Sequence, residues 1–240
     1  GYGRIGRVAH RIIIERFSDE FEVVAINAGS STDMKGWMYL LQYDTTYGAL
    51  SNHALFVQSA EEVEMKTQLA PIGALVVDEK VTPFYSEKDP TKLPWKDLNV
   101  DVVIESTGHF TTPDKMKAHI DAGAKSVILS APFKDEEATA TYVLGVNLDP
   151  QSSENLENII SNASCTTNCI SPVAAIIEEN LGIEKAMMTT IHGYTSDQRI
   201  QDGGHKDYRR ARAAAQNIIP TSTGATKAAA KAIPALEGIF

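Results

Sequence analysis

The chain has 240 residues, 43% of them hydrophobic and 22% charged, with a formal net charge of −9. That length is enough for a sizeable core and one or two domains, and the composition is that of an ordinary globular protein. The acidic balance argues against a general nucleic-acid binder or a protein of acidic membrane surfaces, and no apolar run approaches the ~20 residues that span a bilayer.

The chain opens on Gly1-Tyr2-Gly3-Arg4-Ile5-Gly6, a G-x-G-x-x-G turn, and Ile5, Val8, Ile12 and Ile13 then recur at near-helical spacing through Phe17. Phe21 to Ile26 is a short apolar run suited to a buried strand, and Thr32 to Gln42 reads as helix. Ala74 to Val77 and Lys80 to Tyr85 read as strands joined by a hairpin at Asp78-Glu79. Val100 to Glu105 is a further buried strand, Thr112 to Ala122 a helix stopped at Gly123, and Val127 to Ser130 and Tyr142 to Gly145 two more strands. Such alternation predicts an α/β fold with a doubly wound, mostly parallel sheet. Near residue 160 the texture changes. Ile159-Ile160 leads into Ser161-Asn-Ala-Ser-Cys165, a helix follows through Asn180, and Ala186 to Ile191 reads as a strand. Residues 195–219 form a long polar, basic stretch of the kind that is usually functional. Both ends read as cut rather than finished, so the piece is expected to lack turnover by itself.

Three constellations carry chemistry. The glycine turn lets backbone N–H groups approach a pyrophosphate at a helix N-terminus. At the tip of the next strand, where an acidic residue would hold the ribose of NAD, the chain has Asn27-Ala28-Gly29-Ser30-Ser31. That tip does not repel a 2′-phosphate, though a plain β-turn has the same composition. Cys165 lies where a strand gives way to a helix, a place that lowers a thiol pKa, with Ser164, Thr166 and Thr167 around it. Cys169, one turn deeper, reads as a small buried hydrophobe. His192, at the end of the 186–191 strand, can serve such a thiol as base, although a structural histidine satisfies the same pattern. The remaining histidines read as surface or core residues. Two cysteines make no disulfide framework and fit a reducing cytosol, and no group has metal-ligand spacing.

Taken with Glu105-Ser-Thr-Gly108, Ser130-Ala-Pro132, His205-Lys-Asp-Tyr-Arg-Arg-Ala-Arg212 and Pro220-Thr-Ser-Thr-Gly224, these stretches resemble phosphorylating glyceraldehyde-3-phosphate dehydrogenases, in family order and spacing. The resemblance implies a Rossmann-type NAD(P)-binding domain over residues 1–163 and an incomplete α+β catalytic domain over 164–240. It implies that Cys165 attacks the aldehyde, that His192 takes the proton, and that inorganic phosphate cleaves the thioester. Gly1, Gly3, Arg4, Ile5, Ala28, Lys88, Thr107, Gly108 and Ser130 fall at cofactor positions. Thr195 and Asp197 fall at the site of the substrate's own phosphate. Ser164, Thr166, Thr223 and Gly224 fall at that of the attacking phosphate, with Arg210 beside it. Glyceraldehyde 3-phosphate as substrate, a cytoplasmic homotetramer, and no nucleic-acid or membrane partner are further implications.

Departures from the family point to the cofactor. NAD-specific members carry Asp where this chain has Ala28, and usually Leu-Pro where it has Gly203-Gly204. Both changes remove an obstacle to a 2′-phosphate, so NADP is expected to be accepted. Three rivals stay open: an erythrose-4-phosphate dehydrogenase that hydrolyses its thioester, a cysteine hydrolase built on Cys165 and His192, and a non-catalytic binding fragment.

Overall fold

In the computed structural model, which describes residues 1–135, 138, 140–149 and 156–240, the chain divides into two compact units. One comprises Gly1–Tyr142 with Ser153–Ala163, the other Val143–Ser152 with Ser164–Phe240.

The first unit is α/β. Its strands are β1 (Ile26–Asn27), β2 (Tyr43–Asp44), β3 (Gly48–Ala49), β4 (Leu55–Gln58), β5 (Gly73–Val77), β6 (Lys80–Tyr85), β7 (Val102–Glu105), β8 (Ser126–Leu129) and β9 (Ile159–Ser161). Its helices are α1 (Arg4–Arg16), α2 (Met34–Gln42) and α3 (Pro113–Asp121). A mixed sheet runs in the order β1-β6-β5-β4, and a separate parallel sheet runs β7-β8-β9. β1 pairs parallel to β6, with Ile26 opposite Phe84 and Asn27 opposite Tyr85, while β4, β5 and β6 are antiparallel. The β5–β6 hairpin turns through Asp78 and Glu79, both at positive φ (48° and 73°), the geometry that matches the twist of paired strands. Every residue of β5 is buried, as expected of a strand covered on both faces.

Two apolar clusters hold this unit. Tyr2, Ile26, Trp37, Leu41, Leu75 and Phe84 pack the mixed sheet. Trp95, Met116, Val127 and Leu129 pack the parallel one, where α3 lies against β8 and β9. α2 begins at Asp33, whose carboxylate accepts the Gly36 amide at 2.8 Å, and α3 ends just before Gly123 at φ 110°. A side chain at Gly123 would also strike Lys96.

Several expectations fail here for one reason: a strand is defined by its partner rather than its own pattern. Of Phe21–Ile26 only Ile26 enters the ladder, and Val23 is tied to β6 by the Thr82 hydroxyl, which donates to its carbonyl at 3.1 Å. Tyr142–Gly145 forms no strand; Thr141 and Leu144 make single bridges, to Ser161 and to Leu148. β7 is buried on one face only, with Val102 and Ile104 turned to solvent. The described strands thus form mixed and parallel sheets beside their helices, within the α/β fold that the alternation predicted.

In the second unit α4 (Cys165–Leu181) packs against α5 (Ala225–Ala232). Thr167, Ser171 and Ala174 are buried on α4, and Ala225, Ala229 and Ala232 on α5. Small residues at i, i+4 and i+7 let two helices approach closely. The expected strand at 186–191 is absent among the described residues. Ala186 donates its amide to the Ile239 carbonyl at 2.8 Å, but Met187 and Ile191 are fully exposed. The long 195–219 stretch is ordered by its own backbone. Gly203 N–H reaches the Ala211 carbonyl at 2.9 Å, Ala214 N–H the Arg199 carbonyl at 2.8 Å, and the Asp202 carboxylate accepts Ala213 N–H at 2.9 Å.

Candidate active site

The glycine turn is explained by contact. A Cβ on Gly1 would lie 2.8 Å from the Thr107 amide nitrogen, and one on Gly6 would lie 2.2 Å from the Gly1 carbonyl oxygen. A Cβ on Gly3 would meet no described atom within 4 Å. Two glycines thus permit close backbone packing and the third faces open space. Gly3 is also the N-cap of α1 and has no side chain to spend on the first amides. Those amides and the positive end of the helix dipole suit a pyrophosphate, so the residues present fit a dinucleotide.

The other expected cofactor residues are placed as follows. Arg4 is not free to grip a ligand with its guanidinium. It forms a two-pronged pair with Asp44, at 2.6 and 3.1 Å, which holds that carboxyl down at about 2. What Arg4 can offer is its backbone N–H; Ile5 beside it is exposed. Ala28 is buried in the core with its amide on the Tyr85 carbonyl, and Ser30 and Ser31 beyond it are exposed. Lys88 is exposed on the loop after β6, whose backbone is tied to Asn27 through Glu87. Ser130, at the tip of β8, donates its amide to Glu105 O at 3.0 Å. Thr107 spends its hydroxyl internally, donating to the Glu105 carboxylate and accepting the His109 amide at 3.1 Å. Gly108 follows at φ 74°, a left-handed conformation that favours glycine.

In the second unit, Cys165 is the first residue of α4, after Ala163 at a positive φ of 57° and the cap Ser164. The Ser164 hydroxyl accepts the Thr167 amide at 3.0 Å, and Asn168 Nδ2 donates to the Ser164 carbonyl at 3.0 Å. Cys165 Sγ lies 3.3 Å from His192 Nε2. His192 Nδ1 lies 2.6 Å from the Gly193 carbonyl oxygen, which can only accept. The proton therefore sits on Nδ1 and the Nε2 lone pair faces the thiol. Burial pushes the Cys165 thiol up, but hydrogen bonds from His192 and Thr166 outweigh it and hold it below its usual value. The Gly193 carbonyl, then the thiol, push His192 up. Both shifts favour a thiolate–imidazolium pair, and both side chains are open to solvent. Cys169 is exposed too, not the small buried hydrophobe expected. It lies on the solvent side of α4, while the buried stripe is Thr167, Ser171 and Ala174.

The hydroxyl and charged residues of this unit form one network. Asp197 accepts from Arg210 Nη1, and His205 Nε2 stands 3.5 Å from its other oxygen. Arg210 also donates through Nε to the Thr221 hydroxyl at 3.0 Å and through Nη2 to the Ser222 carbonyl at 3.5 Å. The guanidinium beside Asp197, with His205, keeps that carboxyl low. Thr195 accepts the Asp197 amide at 3.4 Å, and Thr223 accepts the amide of Ala225 at 3.2 Å, at the start of α5 whose cap is Gly224. Asp197 and Arg210, expected at two different subsites, are thus directly paired. Asp207, Thr221 and His205 complete the setting of Arg210 and were not singled out. The i,i+3 spacing of Asp207 and Arg210, 3.7 Å apart, was the available signal for one of them. Among the described residues no group of side chains could hold a metal ion.

Comparison with known proteins accounts for this combination. Residues 1–113 match the model described as glyceraldehyde 3-phosphate dehydrogenase, NAD binding domain. Residues 164–240 match its C-terminal domain. The chain is 48% identical over 238 residues to glyceraldehyde-3-phosphate dehydrogenase 2 of Streptomyces avermitilis, covering 99% of this chain and 65% of that protein. It is 50% identical over 230 residues to the glyceraldehyde-3-phosphate dehydrogenase of Thermotoga maritima, covering 96% and 63%. A Bacillus cereus glyceraldehyde-3-phosphate dehydrogenase 1 is 47% identical over 238 residues. The chain therefore spans just under two thirds of the length of these relatives. With both of the family's domains matched in order, and the thiol and imidazole brought within 3.3 Å at the start of α4, the chain belongs to the glyceraldehyde-3-phosphate dehydrogenase family.

Proposed function

We propose that the protein is a phosphorylating glyceraldehyde-3-phosphate dehydrogenase, an oxidoreductase of glycolysis and gluconeogenesis, with residues 1–163 as its dinucleotide domain and 164–240 within its catalytic domain. The observation that carries the reading is the 3.3 Å approach of His192 Nε2 to Cys165 Sγ at a helix N-terminus. The thiolate attacks the aldehyde carbon, forming a C–S bond, and the imidazolium returns its proton to the oxyanion to give a hemithioacetal. His192 then takes the hydroxyl proton as the carbon loses a hydride, leaving a thioester on Cys165. Gly1, Gly3 and the first amides of α1 would hold the dinucleotide, which would supply the hydride acceptor. Inorganic phosphate attacks the thioester carbon, the thiolate leaves, and the product is an acyl phosphate. Hydroxyls, backbone amides and Arg210 serve the phosphate groups without a metal. In the ordered loop, Arg210 is held by Asp197 rather than sharing a ligand with it.

Nicotinamide reduction with glyceraldehyde 3-phosphate, measured against phosphate concentration in a protein that carries this chain at the full length of its relatives, tests the reading. Turnover that saturates with phosphate supports it. Turnover independent of phosphate favours the erythrose-4-phosphate type, and none with any aldehyde sinks both. The same reading makes the protein a cytoplasmic homotetramer, with the 195–219 loop reaching a neighbouring subunit's cofactor. NADP is accepted alongside NAD: Ala28 is buried and Gly204 opens onto free space, so neither opposes a 2′-phosphate. Comparison of kcat/KM for the two dinucleotides decides this, and a large preference for NAD would refute it.

A further inference from the structure

Beneath the loop Ser106–Gly108 lies a buried polar chain that the mechanism does not use. Glu105, at the end of β7, is 2% exposed and His119, on α3, 4%. Glu105 Oε1 accepts the Thr107 amide at 2.7 Å and the Thr107 hydroxyl, and Oε2 faces His119 Nε2 at 3.1 Å. On its far side, His119 Nδ1 lies 3.0 Å from Trp95 Nε1. An indole N–H can only donate, so Nδ1 accepts and the ring proton sits on Nε2, pointing at the carboxylate. A second proton on the ring would set two N–H groups against each other. His119 is thus a neutral donor, and the pair is a charge-assisted hydrogen bond rather than an ion pair.

The chain ends on the surface expected to meet the dinucleotide. Thr107 is drawn inward by both its N–H and its hydroxyl, and its amide nitrogen would be 2.8 Å from a Cβ on Gly1. The next hydroxyl, Ser106 Oγ, donates to the Gly1 carbonyl at 2.8 Å, and that same carbonyl forbids a side chain at Gly6. Gly3 and Gly108 meanwhile face open space. The glycine turn and the 106–108 loop are therefore locked together, and the lock is set from below by a carboxylate that is itself aimed by His119.

We propose that Trp95, His119 and Glu105 form a positioning relay that fixes the glycine turn and the Ser106–Gly108 loop for the dinucleotide, so that dinucleotide affinity depends on residues too deeply buried to touch it. This rests on the dinucleotide reading above. A buried charge that loses a hydrogen-bond donor must find another, and the nearest move is a shift of Thr107 and of what it holds.

NAD binding by isothermal titration, with a thermal melt of each variant, tests the relay. His119→Leu removes the donor and is expected to raise the Kd for NAD about tenfold or more. His119→Gln restores a donor of similar reach and is expected to recover most of that loss at a similar melting temperature. Trp95→Phe removes the N–H together with the five-membered half of the indole, and in a variant whose melt shows it folded is expected to weaken binding about threefold; it remains readable should His119→Leu not fold. Wild-type affinity in folded His119→Leu, or in Trp95→Phe, overturns the relay. So does an equal loss in the Leu and Gln variants, the mark of simple destabilisation. Absence of NAD binding by the unmutated protein would instead overturn the dinucleotide reading itself, and shows before any variant is made.

Discussion

α1 and α4 present their N-termini in opposite ways. At α1 the cap is Gly3, and the turn before it is made of backbone pressed against backbone, with Gly1 against Thr107 and Gly6 against Gly1. Nothing in the turn is spent on the helix's first amides except what a ligand will bring. At α4 the cap is Ser164, which satisfies the Thr167 amide, and the first helical residue is Cys165, the proposed nucleophile. One helix end is left open for an external anion. The other is closed, and its field acts on an anion the chain carries, the Cys165 thiolate. A helix dipole is the same in both cases; the cap residue decides what it serves.

His192 gives the largest test of this contrast. With burial raising the thiol and hydrogen bonds from His192 and Thr166 lowering it, removal of His192 leaves the helix end and Thr166 to oppose burial alone. His192→Asn is expected to lower turnover by about 10²- to 10⁴-fold. It is also expected to move the alkylation of Cys165 by iodoacetamide to higher pH, toward the ordinary thiol range near ~8.5. The sign follows from the thiolate being the reactive form: a depressed thiol reacts at lower pH, and raising its pKa delays the reaction. An unchanged alkylation profile would mean that α4 alone sets the thiol.

Much of this was legible in the sequence, and the boundary is informative. The Asp78-Glu79 hairpin, the Gly123 stop and the position of Cys165 at the start of α4 depend on neighbours close in the chain. What failed depends on distant partners. The Ala186–Ile191 stretch does not make a strand without a second strand beside it, and Cys169 lies on the face of α4 that nothing described covers. The Trp95–His119–Glu105 relay was invisible for the same reason. Each residue alone reads as core, and only the fold brings β7, α3 and the segment before Val100 together.

Gly3 and Gly6 separate packing from binding at α1. Gly6→Ala forces a methyl to 2.2 Å from the Gly1 carbonyl oxygen. It is expected to cost about 1–3 kcal/mol of stability, and dinucleotide binding with it. Gly3→Ala adds its methyl where no described atom lies within 4 Å. Its melting temperature is expected to stay near wild type while NAD affinity falls about tenfold, because the methyl occupies the ligand's approach. Calorimetric titration and a thermal melt on the two variants check both. Equal affinity of Gly3→Ala and the wild type would remove α1 as the anion site.

Ser164→Ala is the smallest change and the sharpest on the α4 side. It deletes the hydroxyl that accepts the Thr167 amide at 3.0 Å and that lies 2.7 Å from the Thr167 hydroxyl. Loss of a serine cap costs about 1 kcal/mol, or a shift of a few degrees in the thermal melt. The freed Thr167 amide sits two residues from Cys165 and adds to the positive field at the helix end, offsetting part of the lost order around the thiol. The alkylation midpoint of Cys165 is therefore expected to move far less than in His192→Asn, while stability falls more clearly than reactivity. A Ser164→Ala midpoint displaced as far as that of His192→Asn would show that the cap, not the imidazole, governs the thiol, and the division of labour between the two helix ends would have to be redrawn.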